Sequence, residues 1–173
     1  GGVGKTTIAK EMYNLIAKKF EGCCFLADVR ESSKQNQGRL GLLQDKLDND
    51  HQGKSPILSV DNDHQGINLI KERLCRKKFF LVLDDVDHLD QLEKLCEKCD
   101  WFGSGSRIII TTRDKSLLTK HSVSLNYPMK EMDHDEALQL FTQHAFKSDK
   151  PIDGFEDLIE YALCYAGGLP LAL

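Results

Sequence analysis

Gly1-Gly2-Val3-Gly4-Lys5-Thr6-Thr7 brings together the residue types that hold a polyphosphate. Glycines without a Cβ let successive backbone N–H groups close around phosphate oxygens. A helix starting directly afterwards adds a partial positive charge and unpaired donors. Lys5 supplies a full charge for the terminal phosphates, and the Thr6 hydroxyl stands where a Mg²⁺ ligand is needed. The full pattern is G-x-x-x-x-G-K-[ST], which puts its first glycine two positions before Gly1. The chain is therefore expected to be a fragment that starts inside its own motif, and Gly167-Gly168-Leu169-Pro170-Leu171-Ala172-Leu173 reads as a second cut in mid-pattern.

Two more sets of reactive side chains stand at the ends of apolar runs. Phe79-Phe80-Leu81-Val82-Leu83 ends in Asp84-Asp85, and Arg107-Ile108-Ile109-Ile110-Thr111-Thr112 ends in Arg113-Asp114. A phosphate cradle, an acidic pair for Mg²⁺ and water, and a cation for the terminal phosphate are the parts that nucleoside triphosphate chemistry needs. Each has a plainer reading. Asp84-Asp85 suits a turn or a helix cap, and Arg113 suits a pair with Asp114 or a helix end. Their order, each at a strand end, favours the nucleotide site.

The elements that must position these residues alternate. Apolar residues at Ile8, Met12, Leu15, Ile16 and Phe20 mark a helix. Cys23–Val29 reads as a strand, 30–37 as polar loop, and Leu40, Leu43 and Leu47 as a second helix. Phe79–Leu83 and Arg107–Thr112 are runs apolar on both faces, as expected of buried parallel strands. Helices are expected over 67–75, 89–99, around Leu117-Leu118, over 133–146 with Asp133 and Glu136 as a capping pair, and over 155–166 closed by Gly167-Gly168. Val123–Tyr127 reads as an edge strand before Pro128. Strands stop there, so a boundary is placed between residues 1–127 and 128–173. Alternating strands and helices argue for an open parallel α/β sheet, whose ligands bind at the carboxyl ends of the strands.

The totals bound the rest. The chain has 173 residues and a formal net charge of −4, which gives no general reason to expect nucleic acid binding. Its longest apolar runs are far too short to cross a membrane. Six cysteines at irregular spacings read as reduced, intracellular usage rather than a disulfide framework. Cys96-Glu-Lys-Cys99 has a zinc-like spacing but no second half-site, and its helical pattern favours a core face. Asp48-Asn-Asp-His-Gln-Gly53 recurs as Asp61-Asn-Asp-His-Gln-Gly66. The second copy scans as a near EF-hand, with Gln65 where Asp or Asn belongs and Asn68 where an apolar residue belongs, so a solvated loop is the better reading. Arg76-Lys77-Lys78 reads as a solvated helix end.

With these motifs in place the sequence resembles the nucleotide-binding NB-ARC domain of plant disease resistance proteins with leucine-rich repeats. The resemblance rests on GGVGKTT (1–7), FLADVRESS (25–33), FFLVLDDVD (79–87), GSGSRIIITTRD (103–114), the stretch at 127–146 and GGLPLAL (167–173), in the family's order. Asp87 after LDDV and the FLADVRESS stretch are similar to the subclass with an N-terminal TIR domain. The resemblance implies an α/β P-loop NTPase sheet followed by the start of a helical ARC1 subdomain. Its first strand would precede Gly1 and lie between those at 79–83 and 107–112. It implies that Gly2, Val3, Gly4, Lys5, Thr6 and Thr7 hold the phosphates of ADP or ATP, that Thr6 and Asp84 hold Mg²⁺, and that Asp85 is the base for the attacking water. Arg113 would sense the γ-phosphate and Pro170 would lie near the adenine. The implied activity is a cytoplasmic or nuclear switch, off with ADP and on with ATP, reset by slow hydrolysis, flanked by TIR and leucine-rich repeat domains and oligomeric when ATP-bound. No nucleic acid or membrane partner is expected. A turnover ATPase of the same superfamily and a degenerate module that only contacts partners are the competing readings. The sequence offers no evident arginine finger, which favours slow turnover.

Overall fold

A computed structural model describes residues 1–34, 74–96, 101–147 and 154–173. The chain divides into two compact units, Gly1–Thr7 with Tyr127–Leu173, and Ile8–Asn126. The expected helix at 40–47, the duplicated segment at 48–66, most of the helix expected at 67–75, and Cys99 lie outside the described residues.

The unit Ile8–Asn126 is built on three parallel strands, β1 (Gly22–Leu26), β2 (Phe79–Val86) and β3 (Arg107–Thr112), in the order β1-β2-β3. Helix α1 runs over Lys5–Ile16, α2 over Val29–Lys34, α3 over Leu89–Cys96 and α4 over Lys115–Lys120. β2 is buried on both faces because its alternate side chains serve two cores. Phe79, Leu81 and Leu83 join Val29 of α2, Leu92, Leu95 and Cys96 of α3, Trp101, Phe102 and Leu117 of α4. Phe80 and Val82 join Ala9, Tyr13 and Ile16 of α1 with Phe20 and Phe25. Phe80 stacks on Tyr13 at 5.7 Å and on Phe20 at 5.1 Å between ring centroids. The result is α1 on one face of the sheet and α2, α3 and α4 on the other.

β2 and β3 are hydrogen-bonded neighbours, with Phe80 opposite Arg107 and Leu83 opposite Ile110. Three expectations change. β1 ends at Leu26 rather than Val29, because Asp28 adopts a left-handed conformation (φ 48) that turns the chain. The polar stretch from Arg30 opens in a helix, α2, in place of the expected loop. Its only buried residue is Val29, too little apolar periodicity for a sequence to reveal. Val123–Tyr127 forms no strand. Ser122 turns left-handed (φ 55) after α4, and Leu125 and Tyr127 stay 87% and 84% exposed.

The GSGS turn before β3 is a clamp on β2. The backbone N–H of Gly103 donates to the Lys77 carbonyl at 3.0 Å, and the Ser106 hydroxyl donates to the Gly103 carbonyl at 2.6 Å while accepting from the Phe79 N–H at 2.8 Å. A Cβ on Gly103 would lie 2.6 Å from the Lys77 carbonyl oxygen, a backbone atom that cannot swing aside. Gly103→Ala is therefore expected to destabilise the protein by about 2 kcal/mol, the scale of overpacking a close-packed site. Thermal unfolding checks this, and an unchanged Tm would show that the approach is not constrained.

The unit Gly1–Thr7 with Tyr127–Leu173 is helical. α5 (His134–Phe146) carries the expected capping box, with the Glu136 N–H on Asp133 Oδ1 at 2.9 Å and the Asp133 N–H on Glu136 Oε2 at 3.0 Å. α6 (Glu156–Ala166) ends at Gly167 in the left-handed conformation. Ala137, Ile159 and Leu163 form the buried centre with Met132, Leu138, Phe141 and Phe146 around them. His134 on α5 meets Glu160 on α6 at 3.0 Å, and that carboxylate lifts the His134 pKa above its ordinary value.

Candidate functional site

The phosphate loop is built within the helical unit. Gly2 and Gly4 have φ of +86° and +87°, a conformation that L side chains resist. A Cβ on Gly4 would meet nothing within 4 Å, so the space above the loop is open at that residue. On Gly2 it would lie 3.3 Å from the Leu171 Cβ. Leu171 follows Pro170, which opens a short 3-10 helix (Pro170–Ala172), and the Leu171 N–H donates to the Gly2 carbonyl at 3.3 Å. GLPLAL and the loop thus share one unit, and Pro170 stands one residue from a contact with the loop. Gly168 permits this: its carbonyl accepts from the Met132 N–H at 2.8 Å, and a Cβ there would collide with the Met132 carbonyl. α1 begins at Lys5, so Lys5, Thr6 and Thr7 form the first helical turn, where backbone N–H groups have no intrahelical acceptor. Left-handed glycines, open space and a helix start carrying Lys5 fit a polyphosphate.

The acidic pair is built within the sheet unit. Parallel pairing puts the carboxyl ends of β1, β2 and β3 at one edge, which is why residues far apart in sequence meet there. The ladder between β2 and β3 shifts register between Leu83 and Val86, and Asp85 takes a left-handed φ of 55. Such a bulge re-aims a side chain that simple alternation would point elsewhere. Asp84 and Asp85 therefore lie inside the last part of β2 rather than beyond it. Asp84 is 1% exposed, and its Oδ1 accepts from the Thr111 hydroxyl at 2.6 Å. The same hydroxyl accepts from the Asp85 N–H at 2.9 Å. One threonine on β3 thus fixes both acidic residues. A buried, oriented carboxylate is a fit donor for a hard cation such as Mg²⁺.

Asp85 lies between two guanidinium groups. Arg113 Nε stands 3.4 Å from its Oδ1, and Arg30 Nη2 stands 3.0 Å from its Oδ2. Of the plainer readings of Arg113, a pair with Asp114 is not what forms. Asp114 instead caps α4, accepting from the Ser116 N–H at 2.8 Å and from the Ser116 hydroxyl, which together lower its pKa. Sequence reasoning missed Arg30 and Thr111, although both sit in motifs already singled out at 25–33 and 103–114. It also missed Gln91, fully buried, whose amide donates to Asp87 Oδ1 at 2.7 Å and to the Ser33 hydroxyl at 3.1 Å. Gln91 Oε1 accepts from the Asp87 and His88 N–H groups at 3.0 and 3.3 Å. Cys96 is buried on α3 beside His121 (Sγ to Nε2 3.6 Å), and no group of three metal-ligating residues occurs among the described residues. No helix among them is long and apolar enough to cross a membrane.

Comparison with known proteins adds to this geometry. The NB-ARC domain model matches residues 1–151. The chain is 40% identical over its whole length to the disease resistance protein RUN1 of Vitis rotundifolia, spanning 13% of that relative. It is 41% identical over its whole length to the TMV resistance protein N of Nicotiana glutinosa, spanning 15%. It is 42% identical to the disease resistance protein RPV1 of Vitis rotundifolia, again over its whole length and spanning 12%.

Proposed function

From the premise that the chain belongs to the NB-ARC family, whose domain is a nucleotide-binding module of plant disease resistance proteins, we propose that it is the ADP/ATP switch of a plant immune receptor. The observation that carries this reading furthest is the Asp84–Asp85 pair, held by Thr111 and faced by Arg113, in a chain whose glycine loop is open for phosphate.

In this reading the backbone of Gly2 to Thr7 takes the phosphates, Lys5 neutralises the terminal ones and Pro170 lies by the adenine. Thr6 and Asp84 would hold Mg²⁺, which would supply charge neutralisation at the phosphate oxygens. Asp85 orients the attacking water and takes its proton. Arg113 leaves Asp85 for the γ-phosphate when one is present. A switch needs two conformations with different affinity for ADP and ATP. A charge-assisted contact made only to the γ-phosphate contributes roughly 1.5–3 kcal/mol, or about ten- to a hundredfold in relative affinity. Arg113, held by Asp85 across 3.4 Å and 58% exposed, would supply that difference. TIR and leucine-rich repeat domains on either side, assembly in the ATP state, and a cytoplasmic site of action without membrane or nucleic acid contact complete the proposal.

The steady-state ATPase rate of the intact protein tests it. A switch without an added arginine finger is expected to turn over at roughly 10⁻⁴ to 10⁻² per second. Many turnovers per second would make the protein a working ATPase instead. Failure to bind either nucleotide with Mg²⁺ would leave only a contact module.

A further inference from the structure

We propose that Arg30 is a positioning residue for Asp85, the fixed member of a two-arginine grip from which Arg113 is released. The inference rests on the proposed role of Asp85 in hydrolysis.

The two guanidinium groups divide the carboxylate between them, Arg30 on Oδ2 and Arg113 on Oδ1. Their anchorage differs. Arg113 follows the last residue of β3 and is 58% exposed, whereas Arg30 is 37% exposed and stands on α2. α2 is fixed at two further points. Val29 is buried in the sheet core at 4% exposure. Ser33, one turn on from Arg30, donates to the Val29 carbonyl and accepts from Gln91, which in turn grips the Asp87 side chain and backbone. Asp87 lies two residues past Asp85 on the same segment. Arg30 and Asp85 are therefore tied through a second, independent route, and their spacing is set by the fold rather than by their charges alone.

Asp85 needs this support because its own backbone is unfavourable. A left-handed φ at a bulge leaves the side chain without strand neighbours to fix its rotamer. If Arg113 moves to a γ-phosphate, the Oδ1 side of the carboxylate is freed to face water. Arg30 then keeps the Oδ2 side in place. Orientation of this kind acts on the chemical step and not on ground-state binding of nucleotide.

Arg30→Gln and Arg30→Lys, made in the intact protein beside Asp85→Asn, test the inference by single-turnover hydrolysis, ADP affinity and thermal unfolding. Arg30→Gln is expected to lower the rate constant about tenfold or more, with ADP affinity and Tm unchanged, since a misplaced group costs rate rather than binding. Arg30→Lys is expected to recover part of the rate, because one donor to Oδ2 is what the structure shows. A wild-type rate in Arg30→Gln, with Asp85→Asn slow, overturns the inference and leaves the role of Asp85 standing. A wild-type rate in Asp85→Asn overturns both. Parallel losses of rate, affinity and Tm in both Arg30 variants reduce Arg30 to a structural ion pair and overturn the inference as well.

Discussion

Lys5→Ala is expected to abolish measurable binding of ADP at micromolar concentrations. Lys5 opens α1 and is the one side-chain cation within Gly1–Thr7, beside glycines whose conformation presents N–H groups to an anion. Truncating one partner of a buried charge pair typically costs about 2–5 kcal/mol, because the other charge is left unanswered. At about 3 kcal/mol the dissociation constant rises roughly a hundredfold. The loop itself does not depend on the Lys5 side chain, since the positive-φ residues that shape it are Gly2 and Gly4. Thermal stability without nucleotide should therefore hold, while the stabilisation that ADP normally confers should vanish. Calorimetric titration of the intact protein with Mg²⁺ and ADP reads both. Unchanged ADP affinity would remove the loop from the site altogether.

Asp85→Asn is expected to slow hydrolysis by about a hundredfold or more, the range for loss of a general base. Asparagine is the right replacement on structural grounds. Position 85 has φ of 55, which Asn tolerates far better than Ala. Asn keeps the side chain's shape but loses the charge that binds Arg30 and Arg113. Arg113 is then freer to meet phosphate, so ATP affinity should hold or rise while turnover falls. That divergence is the signature. Equal loss of binding and hydrolysis would instead assign Asp85 to the metal, because a ligand lost from Mg²⁺ weakens ground and transition states together.

Much of the sheet unit was legible because its signals are local. β2 and β3 are apolar on consecutive residues and both appear where the runs lie, β2 buried on both faces and β3 only half-buried. α5 was legible for the same reason, since a capping box is a four-residue pattern read off the chain. α2 was not, because a single buried Val29 carries no period. The Val123–Tyr127 segment misled for the opposite reason. Its composition suits a strand, but a strand needs a partner edge, and composition says nothing of edges. Register was also beyond the sequence, since no local pattern says that Phe80 pairs with Arg107 and Leu83 with Ile110.

For the site, the sequence by itself determined which chemistries are present: glycines and a lysine for phosphate, two adjacent carboxylates, and an arginine at a strand end. Those follow from residue type and short spacing, which folding does not alter. Only the tertiary structure decided who faces whom. Parallel register gathered three strand ends at one edge, a bulge turned Asp85, and there Arg30 from the β1 side and Arg113 from the β3 side close on one carboxylate while Thr111 holds the other. These partners lie far apart along the chain, and their meeting depends on hydrogen-bond register and on a single left-handed residue, neither of which is written in any local pattern of the sequence.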